Sequence, residues 1–311
     1  MAARLRYERG MTLPRPVEPG RKYLVTRRCI LRSFLLTPCD EVNQVLLYTL
    51  GLYAPRFGVA IHAITALSNH WHLVLTDVCG ELPDFFMHLH GTIARALNVL
   101  RNRNGAFWEA KQYGRVELLD DNTVLDKMVY VAVNPVAAGL VDDGEKWPGL
   151  RLVPDASGRV VIRATKPEFF FREEDGLPDE VEVVIERPAI DDDLDDGEFA
   201  ARLDDAIEYR EAELRRSAAD EGRRFLGVRR VKKQDPFATP ATREAIGGIN
   251  PRFASRNREL LGRAKAEYRS WLAWYYDALE RFNQREREAV FPSGTWKMRV
   301  FHKVNCASEP P

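Results

Sequence analysis

Two histidines, His70 and His72, are separated by one residue, a spacing that could bring both to one metal ion. The residues around them alternate between apolar and polar, as in a β-strand, and residues two apart in a strand project from the same face. Both imidazoles would then be aimed at one point, while Trp71, Leu73 and Leu75 would point into the core. Imidazole is a common ligand of divalent cations, so the pair predicts a metal site. The alternative is that both histidines are surface or core residues held by hydrogen bonds.

The same histidine spacing recurs at His88 and His90, inside a predicted helix over residues 83–102. A helix turns by ~100° per residue, so these two side chains diverge by roughly 200° and do not share a ligand. We interpret them as polar residues on a helix surface. His62 and His302 have no second ligand nearby in the sequence and are interpreted as structural.

Tyr130 and Asn134 form a second candidate pair, in a predicted helix over residues 123–134. Residues four apart lie on one face of a helix. A tyrosine hydroxyl can be a covalent nucleophile when a metal or a base activates it, and an amide oxygen one turn away could complete a ligand set. The alternative is a core tyrosine with a hydrogen-bonded hydroxyl, and an asparagine that ends the helix before Pro135.

The elements that would position these residues follow a regular order. Periodicity and turn residues predict strands over 23–36, 59–67, 70–76 and 116–119, and helices over 40–52, 83–102 and 123–134. The order β-α-β-β-α-β-α predicts an α+β fold, an antiparallel sheet with helices packed on one face and the other face free to take a ligand.

The 311-residue chain has a globular composition, with 45% hydrophobic and 30% charged residues, and 46 Lys and Arg balance 46 Asp and Glu. This excludes wholesale disorder and a disulfide-stapled miniprotein. The four cysteines show no Cys-x-x-Cys spacing, and no apolar run approaches the ~20 residues that cross a bilayer. We therefore expect a soluble protein of the cytoplasm with no membrane partner.

Charge along the chain predicts four regions. These are a basic N-terminal arm (residues 1–20), the α+β domain (21–150), an acidic linker (151–205) and a helical, partly basic C-terminal extension (206–311). A long helix over 252–288 carries an aromatic stripe, which is expected to pack on the α+β domain or on a partner helix.

The motifs together resemble the HUH single-tyrosine transposases, in particular the branch called REP-associated tyrosine transposases. The resemblance covers about residues 21–150. The residues that carry it are Tyr23-Leu24-Val25-Thr26-Arg27-Arg28, Ser68-Asn69-His70-Trp71-His72-Leu73 and Tyr130-Val131-Ala132-Val133-Asn134-Pro135-Val136-Ala137-Ala138-Gly139-Leu140. It implies a ferredoxin-like HUH fold, in agreement with the element order.

By this resemblance, Tyr130 would attack a phosphate of single-stranded or hairpin DNA and form a 5′-phosphotyrosine link, and a second 3′ hydroxyl would reverse the step. His70, His72 and Asn134 would hold Mg²⁺ or Mn²⁺. Within the region of resemblance, the residues expected to contact DNA are Arg27, Arg28 and Lys111. Outside it, clustered positive charge indicates DNA contacts for Arg229, Arg230, Lys232 and Lys233, with a solvated helix face as the alternative. Lys111 stands where the family usually has an arginine, which replaces a bidentate phosphate contact by a point charge.

Two other functions stay open at this point. A protein that binds a DNA hairpin without turnover would show affinity and no covalent adduct, and a metal-dependent phosphodiesterase would use water in place of Tyr130. The sequence does not distinguish a monomer from a homodimer that shares sites.

Overall fold

The computed structural model describes residues 13–110, 113–190, 193–242, 251–286 and 288–308. Residues 19–261 form one unit, and the described residues before 19 and after 261 form another. Within the described ranges, no helix is both long enough and apolar enough to span a lipid bilayer.

The predicted element order of the first half is confirmed. Its elements are β1 (Arg21–Arg28), α1 (Asp40–Tyr53), β2 (Val59–Ala66), β3 (His70–Asp77), α2 (Leu82–Leu100), β4 (Gly114–Leu118) and α3 (Asp121–Ala132). The strands lie in the order β2-β3-β1-β4, and every pair among them is antiparallel. The α+β fold class is therefore confirmed.

The remaining elements extend this sheet or pack around it, or belong to the other unit. They are α4 (Asn134–Ala137), β5 (Arg151–Leu152), β6 (Arg159–Thr165), β7 (Glu180–Glu186), α5 (Asp196–Asp220), α6 (Val228–Lys232), β8 (Phe253–Ala254), α7 (Arg258–Asn283), β9 (Val290–Phe291), α8 (Trp296–His302) and β10 (Asn305–Cys306).

Helices α1 and α2 pack on one face of the sheet, as predicted, because each carries an apolar stripe at helical spacing. Trp71, Leu73 and Leu75 of β3 are fully buried beneath them. Core residues from the helices include Val45 and Phe85.

The opposite face, which we expected to be free for a ligand, is partly covered by helices, so the prediction of helices on one face alone is wrong. Strand alternation puts Leu24, Ala63 and Val74 on this face, and these apolar side chains need cover. Helices α3 and α5 supply it. Their residues in this second core are Val124, Met128, Val131, Ala132, Phe199, Leu203 and Ile207.

The prediction of an acidic linker over 151–205 is wrong, because most of this region is folded onto the domain. Strands β6 and β7 form an antiparallel pair, and β7 joins the edge of the sheet beside β2. In β7, Val183 and Ile185 are buried while Glu182 stays exposed. The carboxylates thus belong to the solvent side of an alternating strand, which a count of charges does not distinguish from a linker.

The acidic residues before α5 have a capping role. Asp195 accepts a hydrogen bond from the Glu198 backbone N–H, and Glu198 accepts one from the Asp195 N–H. This reciprocal pair is a capping box, which satisfies donors that a helix start leaves unpaired.

The predicted extension over 206–311 is divided between the two units. Helix α6 and strand β8 belong with the sheet, since Val231 is fully buried and β8 pairs with β4. The predicted long helix is shorter than expected and spans Arg258–Asn283.

The second unit has an aromatic core of its own. Trp271 stacks on Tyr268 and Tyr275, and Phe291 packs against Tyr275 and Phe282. The aromatic stripe of α7 therefore packs against residues that follow it in the chain. Of the predicted basic arm, residues 13–18 belong to this unit, where the Val17 N–H donates to the Gly294 carbonyl. Residues 1–12 lie outside the described part.

The packing of β7 on α1 predicts an effect at Gly51. A Cβ there would lie 2.7 Å from Val181 Cγ2 and 2.9 Å from the Glu182 carbonyl oxygen. We expect Gly51→Ala to lower the free energy of unfolding by about 1 to 3 kcal/mol, measured by urea denaturation. Gly91→Ala in α2 is the matched control, because its Cβ would approach only Arg95 Nη1, at 3.6 Å. There the better helix propensity of alanine should raise stability by roughly 0.5 to 1 kcal/mol. Equal effects in both variants would contradict the packing.

Candidate functional site

Strand β3 presents His70 and His72 on one face of the sheet, opposite to the buried Trp71. The two imidazole rings are 4.8 Å apart between centroids and nearly perpendicular, at 89°. The side chain of His72 is buried, with 5% of its surface exposed, and that of His70 is half-buried. The pair therefore forms one cluster that is open on the side of His70.

Each ring has an oxygen atom within hydrogen-bond distance of its Nδ1 atom, which orients the ring. His70 Nδ1 lies 2.6 Å from Asn69 Oδ1, and His72 Nδ1 lies 2.8 Å from Thr26 Oγ1. A carboxamide oxygen only accepts hydrogen bonds, so Nδ1 of His70 carries the proton and the lone pair of the neutral ring is on Nε2. The hydroxyl of Thr26 can accept from His72 in the same way. Oxygen partners of this kind orient imidazoles that bind metals.

The environment of His72 favours the neutral ring. Burial lowers its pKa well below the usual value, and the nearby charges of His70 and Arg28 act in the same direction. A neutral imidazole is the form that ligates a cation. His72 is therefore suited to ligation rather than to carrying a charge.

Tyr130 is brought to this pair by α3. Asp120 caps the helix by accepting from the Thr123 N–H, so the helix begins at Asp121, two residues before the predicted start. Met128 and Val131 are buried on the sheet side, which leaves Tyr130 42% exposed. Its ring centroid is 5.2 Å from that of His72, at 75° between the planes.

The sequence patterns did not identify Lys127 as a neighbour of the tyrosine. Its Nζ atom lies over the Tyr130 ring, 5.7 Å from the centroid. The signal was present, because a residue three positions earlier on a helix lies on the same face. A cation there stabilises negative charge that develops nearby.

Asn134 does not share a continuous helix with Tyr130, so this prediction is wrong. Helix α3 ends at Ala132, and Asn134 begins the short helix α4. Pro135 has no N–H to continue the helix, and the N–H groups of Val136 and Ala137 bond instead to the Val133 carbonyl. Asn134 itself is buried, with 8% of its surface exposed.

The two arginines at the end of β1 lie on different faces of the sheet. Arg28 pairs across the strands with His70, on the histidine face. Arg27 lies on the other face, with its guanidinium carbon 5.7 Å above the Trp108 ring. The position of Arg28 favours contact with a group bound at the histidine pair. Lys111, another predicted DNA contact, lies outside the described residues.

The basic residues of the C-terminal region lie near the histidine hairpin. Val231 of α6 is buried against Leu67 and Val136. Ser68, two residues before His70, donates from its Oγ atom to Gln234 Oε1 over 2.6 Å. This contact was not predictable from the sequence, because it joins residues 166 positions apart. The predicted DNA contacts at this place, Arg229, Arg230, Lys232 and Lys233, are all exposed.

The other histidines differ from the pair. His62 is buried between the Glu186 carbonyl and the Thr76 hydroxyl, and burial lowers its pKa to about 4, in agreement with a structural role. His90 was predicted to lie on a helix surface, and this is wrong. Its ring is buried among Phe86, Trp71 and Trp108.

The donor set of the pair fits a divalent cation. Imidazoles whose Nδ1 atoms face oxygen present Nε2 as the ligating atom. In the part of the chain that the structure describes, no group of three or more His, Cys, Asp and Glu side chains could hold a metal ion. A cation at the pair would therefore take further ligands from an amide such as Asn134, from water or from phosphate oxygens.

The hydrogen bond of Thr26 leads to a prediction. Thr26→Val leaves Nδ1 of the buried His72 without its partner, which should lower the free energy of unfolding by about 1 to 3 kcal/mol. Loss of the orienting contact should also weaken Mn²⁺ binding by roughly 10- to 100-fold in calorimetric titration. Thr26→Ser keeps the hydroxyl and should resemble the wild type. Equal Mn²⁺ affinities of the valine and serine variants would contradict an orienting role.

Two solved structures are similar to part of the chain. One is described as a REP-associated tyrosine transposase bound to a REP hairpin; it is 18% identical, with a TM-score of 0.39, over 45% of this chain and 81% of that chain. The other is a crystal structure of a "putative transposase" from Deinococcus radiodurans, 22% identical, with a TM-score of 0.28, over 39% of this chain and 95% of that chain. No protein-family model matches the sequence, and no curated protein matches it significantly.

Proposed function

We propose that the protein cleaves and rejoins single-stranded or hairpin DNA, with Tyr130 as the nucleophile beside a divalent cation at His70 and His72. The observation that supports this most strongly is the packing of the half-exposed Tyr130 ring on the buried His72 ring, 5.2 Å between centroids. A tyrosine that served only the core would not need this neighbour or this exposure.

The proposed step is a phosphoryl transfer to the phenol oxygen. Tyr130 Oη attacks phosphorus, an O–P bond forms to the 5′ side of the DNA, and the bond between phosphorus and the 3′ oxygen breaks. The phenol loses one proton and the departing 3′ oxygen takes one up, so the protons balance. The covalent link conserves a phosphodiester, so a second 3′ hydroxyl can reverse the step with no nucleotide cofactor.

The residues around Tyr130 would divide the remaining work. His70 and His72 would hold Mg²⁺ or Mn²⁺, with Asn134 as a further ligand, and Thr26 and Asn69 orient the two rings. The cation, when bound, would withdraw charge from the phosphate oxygens. Imidazole donors favour Mn²⁺ over Mg²⁺, since Mg²⁺ prefers oxygen ligands.

The DNA strand would follow the cations near the histidine hairpin. Arg28 lies across from His70, and four exposed basic residues belong to or follow α6, which is tied to Ser68 through Gln234. Phosphate groups bind such clusters without regard to sequence.

We further propose that the protein acts in the cytoplasm, as a monomer or as a homodimer.

A first prediction concerns the nucleophile. Incubation with Mn²⁺ and a labelled hairpin oligonucleotide that has unpaired flanks should give a protein-linked band on a denaturing gel. Tyr130→Phe should lose this band completely and keep DNA affinity within about twofold, because only the hydroxyl is removed. His70→Ala should also lose the band, because it removes a proposed ligand of the cation. Tyr209→Phe is the matched control, because Tyr209 is an exposed tyrosine of α5.

Other outcomes of the same experiment would identify one of the two alternative functions. Cleaved DNA without a protein-linked end, unchanged in Tyr130→Phe, would replace the proposal by hydrolysis with water. Tight binding without cleavage in any cation would replace it by a hairpin-binding protein.

A second prediction concerns the cations near α6. Neutralising Arg229 and Arg230 to glutamine should weaken DNA binding and reduce the slope of log affinity against log salt by roughly 1.4, since each phosphate contact to a single strand contributes ~0.7. The matched control neutralises Arg159 and Arg163, which are exposed on β6 at the far edge of the sheet. A slope that changes equally in both double variants would place the DNA elsewhere.

A further inference from the structure

The turn that follows β1 has a backbone that side chains rarely adopt. Residues Ile30–Arg32 form a single 3₁₀ turn in which Leu31 has φ 52° and ψ 22°, and Arg32 has φ 58°. Two consecutive left-handed residues other than glycine are conformationally unfavourable, because the Cβ atom of each crowds the backbone. Such a conformation persists only when the surrounding structure holds it in place.

The hydrogen bonds that hold this turn lead to the histidine pair. The Cys29 N–H donates to the Asn69 carbonyl over 2.8 Å, and Asn69 Nδ2 donates to the Arg32 carbonyl over 3.2 Å. The Oδ1 atom of the same Asn69 side chain faces His70 Nδ1. One side chain therefore links the turn to the orientation of His70.

The turn exposes an apolar side chain at this place. Leu31 is 77% exposed, the highest value for a large apolar side chain in the described part of the chain. A second exposed apolar side chain, Phe237, is 56% exposed. Its segment lies close to the turn, because the Phe34 N–H donates to the carbonyl of Ala238, the residue after Phe237. The segments that carry Leu31 and Phe237 therefore both lie beside the hairpin that carries His70.

The charge around these two side chains indicates what covers them. Arg229, Arg230, Lys232 and Lys233 are exposed in the same segment as Phe237. An apolar protein partner does not need a cluster of cations, whereas single-stranded DNA offers phosphates and apolar base faces together. Apolar side chains that contact or separate bases are a recurrent feature of DNA-binding proteins.

We propose that Leu31 is a positioning residue that contacts an unpaired base beside the phosphate attacked by Tyr130, and that Phe237 stacks on a neighbouring base. This inference depends on the proposed function for the location of that phosphate. The strained turn keeps Leu31 projecting into solvent before DNA binds, so no rearrangement is needed on binding.

The test compares two substitutions at one position, in a Tyr130→Phe background that keeps the DNA intact. Leu31→Asn removes the apolar surface and tolerates a left-handed backbone. Leu31→Met keeps the apolar surface. The DNA is the hairpin oligonucleotide with unpaired flanks, carrying the fluorescent base 2-aminopurine at successive unpaired positions. Met87→Gln is the control, because Met87 is an exposed apolar residue of α2, on the other face of the sheet.

We expect Leu31→Asn to weaken binding about tenfold, as loss of a base contact does. The salt dependence of binding should be unchanged, because no charge is altered. The 2-aminopurine fluorescence change on binding should be lost at one or two positions in Leu31→Asn, and kept in Leu31→Met and Met87→Gln.

Other outcomes would overturn the inference. Equal affinity and equal fluorescence in Leu31→Asn and the Tyr130→Phe parent would exclude a base contact, even if Tyr130 forms its adduct in the otherwise wild-type protein. Loss of self-association in Leu31→Asn by sedimentation, with unchanged DNA binding, would show that a second copy covers the turn. Conversely, a lost fluorescence change in Leu31→Asn together with no Tyr130 adduct would support the base contact and refute the proposed nucleophile.

Discussion

The antiparallel register between β1 and β3 is the constraint on which the site depends. It sets Thr26 opposite His72 and Arg28 opposite His70, and it buries Trp71 on the other face. A shift by one residue would exchange the two faces and place both imidazoles in the core. The hydrophobic core that fixes the register therefore also fixes the direction of the histidines, and helix α3 packs on the same face to bring Tyr130 against them.

The features that could be predicted from the sequence are those that depend on local periodicity. Alternation over residues 70–76 was enough to place His70 and His72 on one face, and helical spacing was enough to locate α1, α2 and α3. The orienting oxygen of Thr26 could not be predicted, because it requires the register between strands 46 residues apart. Lys127 could have been found from its spacing to Tyr130.

The predictions that failed lacked information on tertiary packing. The carboxylates of β7 looked like a linker because their alternation with Val183 and Ile185 is short and highly charged. His90 looked like a surface residue because two of the aromatic side chains that enclose it, Trp71 and Trp108, come from β3 and from a loop. In both cases a partner that is distant in the sequence decides which side of an element is buried.

In the proposed site, His70, His72 and Tyr130 face one cation and one phosphate. Mn²⁺ broadens the NMR signals of nuclei close to it, so a titration of the wild-type protein with assigned histidine and tyrosine ring signals tests this claim directly. We expect the rings of His70, His72 and Tyr130 to broaden at the lowest Mn²⁺ concentrations, before the buried rings of His62 and His90. Broadening of other rings before those of His70 and His72 would contradict it.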